Sequence, residues 1–191
     1  MVLLILGLLI FLGTHSVRIV ADDWRAAQRR RFGERAWMLG YTVLSLIGFW
    51  LLLRGYGQAR QDAMALWTPA LAMRHLAAVL TLPAFILLAA TYVPRNAIKA
   101  RVQHPMVLGV MLWAVAHLLA NGTLADLLLF GSFLLWALLS FLAARRRDRL
   151  AGTAYAGTAT GAAIAFTIGT LAWALFAFWL HGPLIGVRPF Y

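Results

Sequence analysis

Six apolar stretches, near residues 2–20, 36–53, 70–93, 105–122, 124–144 and 157–181, are separated by short segments that hold most of the charge of the chain. A helix rises about 1.5 Å per residue, so about 20 apolar residues cross the hydrocarbon core of a bilayer. Hydrocarbon offers the backbone no hydrogen-bonding partner, and a helix satisfies its own N–H and C=O groups. The pattern therefore predicts an all-α polytopic membrane protein, a six-transmembrane-helix bundle. Composition agrees, because only 12% of the residues are charged, against about 25% in a soluble domain. The connections have no composition that buries a soluble core, so residues 1–191 read as one transmembrane domain. Met1 to Gly13 lacks a basic leader and a small-residue cleavage site, and it reads as a retained first span.

A net charge of +11 would suggest nucleic acid in a soluble protein. In a membrane protein it has a simpler origin, since Lys and Arg collect in cytoplasmic loops, and nucleic acid is not expected as a partner. Of the 17 Lys and Arg residues, thirteen lie in alternate connections: Arg18, Arg25, Arg29, Arg30, Arg31 and Arg35, then Arg95, Lys99 and Arg101, then Arg145, Arg146, Arg147 and Arg149. The opposite side holds Arg54, Arg60 and Arg188, and Arg74 falls inside the third span. The positive-inside rule makes the first, third and fifth loops cytoplasmic and places both termini outside, in the periplasm of a bacterial inner membrane.

The chain has no cysteine, which removes disulfides, iron–sulfur clusters, thiolate-ligated metals and covalently attached haem. No carboxylate lies deep in a span, so carboxylate metal sites and carboxylate proton relays lack their donors. Ionisable groups within the bilayer are costly and point to function, and here they are mostly histidines. His15 lies in the first span with Arg18 one turn on, His75 follows Arg74 in the third, and His117 lies in the fourth. His104 and His181 occupy helix ends, where an interfacial role suffices. Histidines on different helices supply the two axial ligands of haem b, whose flat apolar ring fills the space between helices. Depth favours pairing His75 with His117, which differ by roughly 5 Å along the normal, over His15 with His117, which differ by roughly 10 Å.

Local signals refine the helices. Asn121-Gly122-Thr123 forms a minimal turn in which Gly122 takes the left-handed position after a helix and Thr123 pairs with Asp126 as a cap. Pro83 removes a backbone donor in mid-span. Gly157, Gly161, Ala165 and Gly169 recur every four residues, a small-residue face for close helix packing.

The stretch from His104-Pro105-Met106 through Trp113-Ala114-Val115-Ala116-His117 to Asn121-Gly122 resembles the signature of the NnrU family of bacterial membrane proteins. Gly13-Thr14-His15-Ser16-Val17-Arg18, Gly33-Glu34-Arg35 and the run from Leu127 to Trp136 extend the likeness over nearly the whole chain. The resemblance implies a helical membrane protein associated with denitrification and with active nitrite and nitric oxide reductases. The same domain is similar to plant zeta-carotene isomerase, a haem b enzyme with bis-histidine ligation that moves a polyene double bond from cis to trans. By that likeness His117 is the first axial ligand and His15, rather than His75, its partner. Arg18 and Arg74 are then candidate counter-charges for haem propionates.

The leading expectation is a haem b protein of nitric oxide metabolism that transfers electrons, senses a nitrogen-oxide ligand or assists maturation. A haem-dependent cis–trans isomerase acting on a lipophilic polyene is the competing enzyme, and a haem-free membrane scaffold or small-molecule transporter is the third. Transporters tend to carry internal repeats and broken helices, and Pro83 is the one interruption the sequence offers.

Overall fold

The structure is a computed structural model, and it describes residues 1–152 and 155–190. Among these residues the elements are all helices, with α1 at Val2–Val20, α2 at Asp22–Phe32, α3 at Glu34–Ala59, α4 at Leu71–Tyr92, α5 at Ala97–Val102, α6 at Pro105–Ala120, α7 at Leu124–Ala151, α8 at Ala159–Leu175 and α9 at His181–Ile185. Five helices are long and apolar enough to cross a bilayer, the fifth being the continuous run Ala159–Ile185. The sixth apolar helix, α6, has 16 residues and is shorter than a usual span.

The six apolar stretches match six helices, and the differences are local. α3 and α7 run beyond their apolar stretches, to Ala59 and Ala151, because Arg54, Arg60 and the Arg145–Arg149 cluster follow without a breaker. The first loop contains α2, whose sequence DDWRAAQRRRF is too charged to register as a span. Asp22 and Asp23 at its start and Arg29, Arg30 and Arg31 at its end match the helix dipole. Arg29 donates to Glu34 at 2.5 Å, and Trp24 packs edge-on against Trp37 with centroids 5.9 Å apart, tying α2 to the start of α3. Between α8 and α9 the turns widen to a π-helix over Phe176–Leu180.

The chain divides into two compact units, Met1–Trp67 with Gly122–Ser140, and Thr68–Asn121 with Phe141–Tyr191. In the first, α1 and α3 meet through glycines. A methyl group at Gly7 would stand 2.6 Å from the Leu52 nitrogen, one at Gly48 2.7 Å from the Phe11 nitrogen, and one at Gly55 would strike the Leu4 backbone. Lipid tails are as apolar as leucine, so helices associate in a bilayer through such close packing rather than through water exclusion.

The turn before α7 belongs to the same unit and departs from expectation. Gly122 is not among the residues with positive φ. Its carbonyl instead accepts from Leu66 N at 2.8 Å and Trp67 N at 3.1 Å, Leu124 N donates to Met64 O at 2.9 Å, and a Cβ at Gly122 would strike the Trp67 carbonyl. Glycine is required by the close approach of another strand of backbone, not by a left-handed turn. The cap forms as expected: Thr123 N and Oγ1 donate to Asp126 Oδ2 at 2.9 and 2.6 Å, and Asp126 N donates to Thr123 Oγ1 at 3.3 Å. Tyr56 Oη donates to the other oxygen, Oδ1, at 2.6 Å, so both oxygens of this buried side chain, 5% exposed, are hydrogen-bonded.

In the second unit α4 packs against α6 and α8. Gly169 presses against the Ile86 backbone, Gly161 against Arg95 and Asn96, and Ala165 is fully buried, which accounts for the four-residue stripe as a packing surface. Trp173 Nε1 donates to Thr81 Oγ1 at 3.0 Å across the same interface, and α4 continues through Pro83. Asn96, 1% exposed, joins α4 to α5: its Nδ2 donates to Ala90 O at 2.9 Å and Val93 O at 2.5 Å, and its Oδ1 caps α5 through Lys99 N at 2.7 Å.

Backbone contact at one glycine and open space at its near neighbour give a matched pair of variants. Gly55→Ala is expected to destabilise the detergent-solubilised protein by about 1–3 kcal/mol, the usual cost of overpacking. Gly57→Ala, with nothing within 4 Å, should leave the thermal midpoint unchanged or slightly raised, and circular-dichroism melts compare the two.

Candidate functional site

Two histidines on apolar helices are built alike. In α1, Phe11 precedes His15 by one turn; His15 Nδ1–H donates to the Phe11 carbonyl at 2.7 Å, and the two rings stack with centroids 4.2 Å apart. In α6, Trp113 precedes His117 by one turn; His117 Nδ1–H donates to the Trp113 carbonyl at 2.8 Å, and the rings lie 5.0 Å apart. A carbonyl oxygen only accepts, so Nδ1 carries a proton in both rings, and Nε2 is the nitrogen whose lone pair a neutral ring presents. The bond also fixes the ring plane, and it satisfies the polar donor that a membrane helix would otherwise leave exposed to hydrocarbon. His117 O accepts a further bond from Asn121 Nδ2 at 2.9 Å, closing the end of α6.

Around His15 the first unit supplies an aromatic sleeve. The Tyr41 ring of α3 lies 5.2 Å away and the Trp136 ring of α7 meets it edge-on at 6.1 Å. Phe11 continues the sleeve to Phe49 at 6.1 Å and Phe133 at 5.8 Å. Trp136 Nε1 is buried without a hydrogen-bond partner, a donor still open beside the histidine. Sequence reasoning missed Tyr41, Phe133 and Trp136, because aromatic residues in apolar helices carry no signal of which histidine they surround.

His75 and Arg74 lie exposed in the first turns of α4, and among the described residues no hydrogen bond holds the His75 ring. Arg18 is exposed at the end of α1, one turn beyond His15. His15 belongs to the first compact unit, whereas His75 and His117 belong to the second. His181 Nδ1–H donates to Val187 O at 2.6 Å, which closes the turn after α9.

His104 has a more specific setting than a helix start. Its Nε2 lies 2.8 Å from Asp148 Oδ2, and the Tyr155 hydroxyl donates to the same oxygen at 2.9 Å. Burial raises the Tyr155 hydroxyl pKa, and the Asp148 hydrogen bond and charge raise it further against the opposing charge of Arg145. Among the described residues no group of three His, Asp or Glu side chains is placed to hold a metal ion. The donor set that remains is imidazole in the Nε2 form, which suits iron already held by a macrocycle.

The anchoring bonds set the ring tautomers of the haem-free protein. Nitrogen-15 spectra of histidine-labelled protein above pH 8 should show His15 and His117 protonated at Nδ1, assigned by loss of each signal in His15→Gln and His117→Gln. Protonation at Nε2 in either ring would contradict the geometry.

Comparison with known proteins gives a family and no named relative. Residues 3–189 match the family model described as NnrU protein. No curated protein and no solved structure matches the chain. A match over almost the full length carries the assignment, and the chain belongs to the NnrU family.

Proposed function

We propose that this membrane protein binds haem b, with His15 and His117 each offering one axial imidazole, and that it serves nitrogen-oxide metabolism in a bacterial inner membrane with both termini in the periplasm. The observation that carries the reading is the repeated aromatic-x-x-x-His unit, in which a backbone carbonyl one turn back takes the Nδ1 proton. Iron-ligating histidines characteristically donate their second nitrogen to such an acceptor, which fixes the tautomer and raises ligand basicity. Bound haem b supplies a one-electron centre and, where one axial position opens, a site for nitric oxide.

The residues of the chain have distinct parts in this reading. Phe11 O and Trp113 O hold the Nδ1 protons, which leaves Nε2 as the ligating nitrogen of each ring. Phe11, Tyr41 and Trp136 exclude water around His15, and Trp136 Nε1 offers a buried donor. Arg18 is the nearby candidate to balance a propionate. Among the described residues His75 has no anchoring acceptor, which favours His15 over it, in line with the family resemblance and against the depth comparison.

Absorption spectra of protein purified after expression with ample haem test this directly. Wild-type protein should carry a b-type spectrum near one haem per chain. His117→Ala and His15→Ala should each lose most of the haem, in keeping with affinity losses beyond the roughly 10–100-fold caused by removing an outer hydrogen bond alone. His75→Ala should keep it. A colourless wild type that does not take up added haem, or full retention in both ligand variants, would overturn the proposal and favour a haem-free scaffold.

A further inference from the structure

The end of the second unit where α4 stops and α8 begins has a groove of about 490 Å³ lined by Ala89, Tyr92, Val93, Pro94, Ile164 and Ile168, with Gly161 at its floor. The isoleucines are half-exposed and Tyr92 is 77% exposed, so the groove opens outward from the helix pair. Its lining is apolar, and the chain that continues from it beyond Pro94 is rich in cations. The segment from Val93 to His104 contains Arg95, Lys99 and Arg101 and no carboxylate. Arg95 follows Pro94 directly and is exposed.

Arg95 is also held in an unusual way. Its φ of 45° lies in the left-handed region that glycine adopts freely and a long side chain does not. The conformation is locked from α8: Thr158 N donates to Arg95 O at 2.8 Å and Thr158 Oγ1 donates to it at 3.1 Å, while Ala97 N donates to Thr158 O at 3.1 Å. Gly161 brings the two backbones together, since a Cβ there would stand 2.8 Å from Arg95 O. A strained backbone persists where the surroundings over-determine it, and such positions gather at ligand clamps. Here the strain fixes the backbone of an exposed arginine that directly follows Pro94, a residue of the groove lining.

We propose that this groove is a binding site for an anionic phospholipid, with an acyl chain along Ile164 and Ile168 and the phosphate at Arg95. Acyl chain and phosphate are the two chemistries that the groove and the cation ask for, in the order in which a lipid presents them to a membrane protein. Basic pockets between membrane helices recognise anionic headgroups in the same manner. Lys99 Nζ donates to Thr91 O at 3.1 Å and so helps to close the end of α4.

Native mass spectrometry of the full chain, titrated in detergent with palmitoyl-oleoyl phosphatidylglycerol or the matching phosphatidylcholine, tests the site. Wild-type protein should bind phosphatidylglycerol in preference. Arg95→Gly relieves the left-handed strain, so it should melt no lower than wild type, yet it should lose about five-fold in phosphatidylglycerol affinity, the share of one cation near a lipid surface. Arg95→Gln should lose as much, and Arg95→Lys should retain most of the preference. Ile164→Trp, which fills the exposed groove, should weaken both lipids. Equal binding of the two lipids by wild type, an unchanged preference in folded Arg95→Gly and Arg95→Gln, or a dimer that binds neither lipid would overturn the assignment.

Discussion

A bilayer interior supplies no hydrogen-bond donors or acceptors, and the structure depends on that absence. Every backbone polar group of an apolar helix must find its partner within protein. The backbone answers by forming helices, and the polar side chains answer locally. Thr14 and Thr91 donate to carbonyls one turn back, and His15 and His117 do the same through Nδ1. This local solution has a chemical result for histidine alone. An imidazole has two nitrogens, so satisfying one fixes the identity of the other.

Close packing is the second consequence of the same solvent. Burying apolar surface against apolar lipid gains little, so helices associate where their backbones approach. α1 and α3 meet at Gly7, Gly48 and Gly55, and α4 and α8 meet at Gly161, Ala165 and Gly169. These contacts fix which side chains stand beside the histidine of α1, since Tyr41 and Phe49 are carried by the helix that the glycines admit. The polar joints at the helix ends, Asn96 in one unit and Asp126 in the other, are satisfied by three or more bonds each and hold the turns that begin α5 and α7.

Much of this was legible in the sequence because its signals are long or local. Runs of about 20 apolar residues are hard to read as anything but membrane helices, and the Thr123–Asp126 cap lies within one turn. The four-residue stripe from Gly157 to Gly169 announced itself by its period, whereas Gly7, Gly48 and Gly55 are divided between two helices and have no shared spacing. Gly122 was recognised as necessary for the wrong reason, because the Trp67 backbone that requires it is distant in sequence. α2 escaped notice because its charges hide the helix from a search for apolar runs. The histidines were legible as residues, but not the acceptor each one uses. The strained Arg95 left no trace in the sequence, since left-handed conformations announce themselves through glycine.

The proposed bis-histidine ligation implies one electronic state above others. Two imidazoles bound through Nε2 would give ferric haem a strong ligand field and a low-spin ground state. Low-temperature electron paramagnetic resonance of the oxidised, haem-loaded protein reads that state without assuming any activity. The account predicts a low-spin ferric signal of the bis-imidazole type that disappears in His117→Ala. A high-spin ferric signal in the wild-type protein, or a low-spin signal unchanged in that variant, would contradict it.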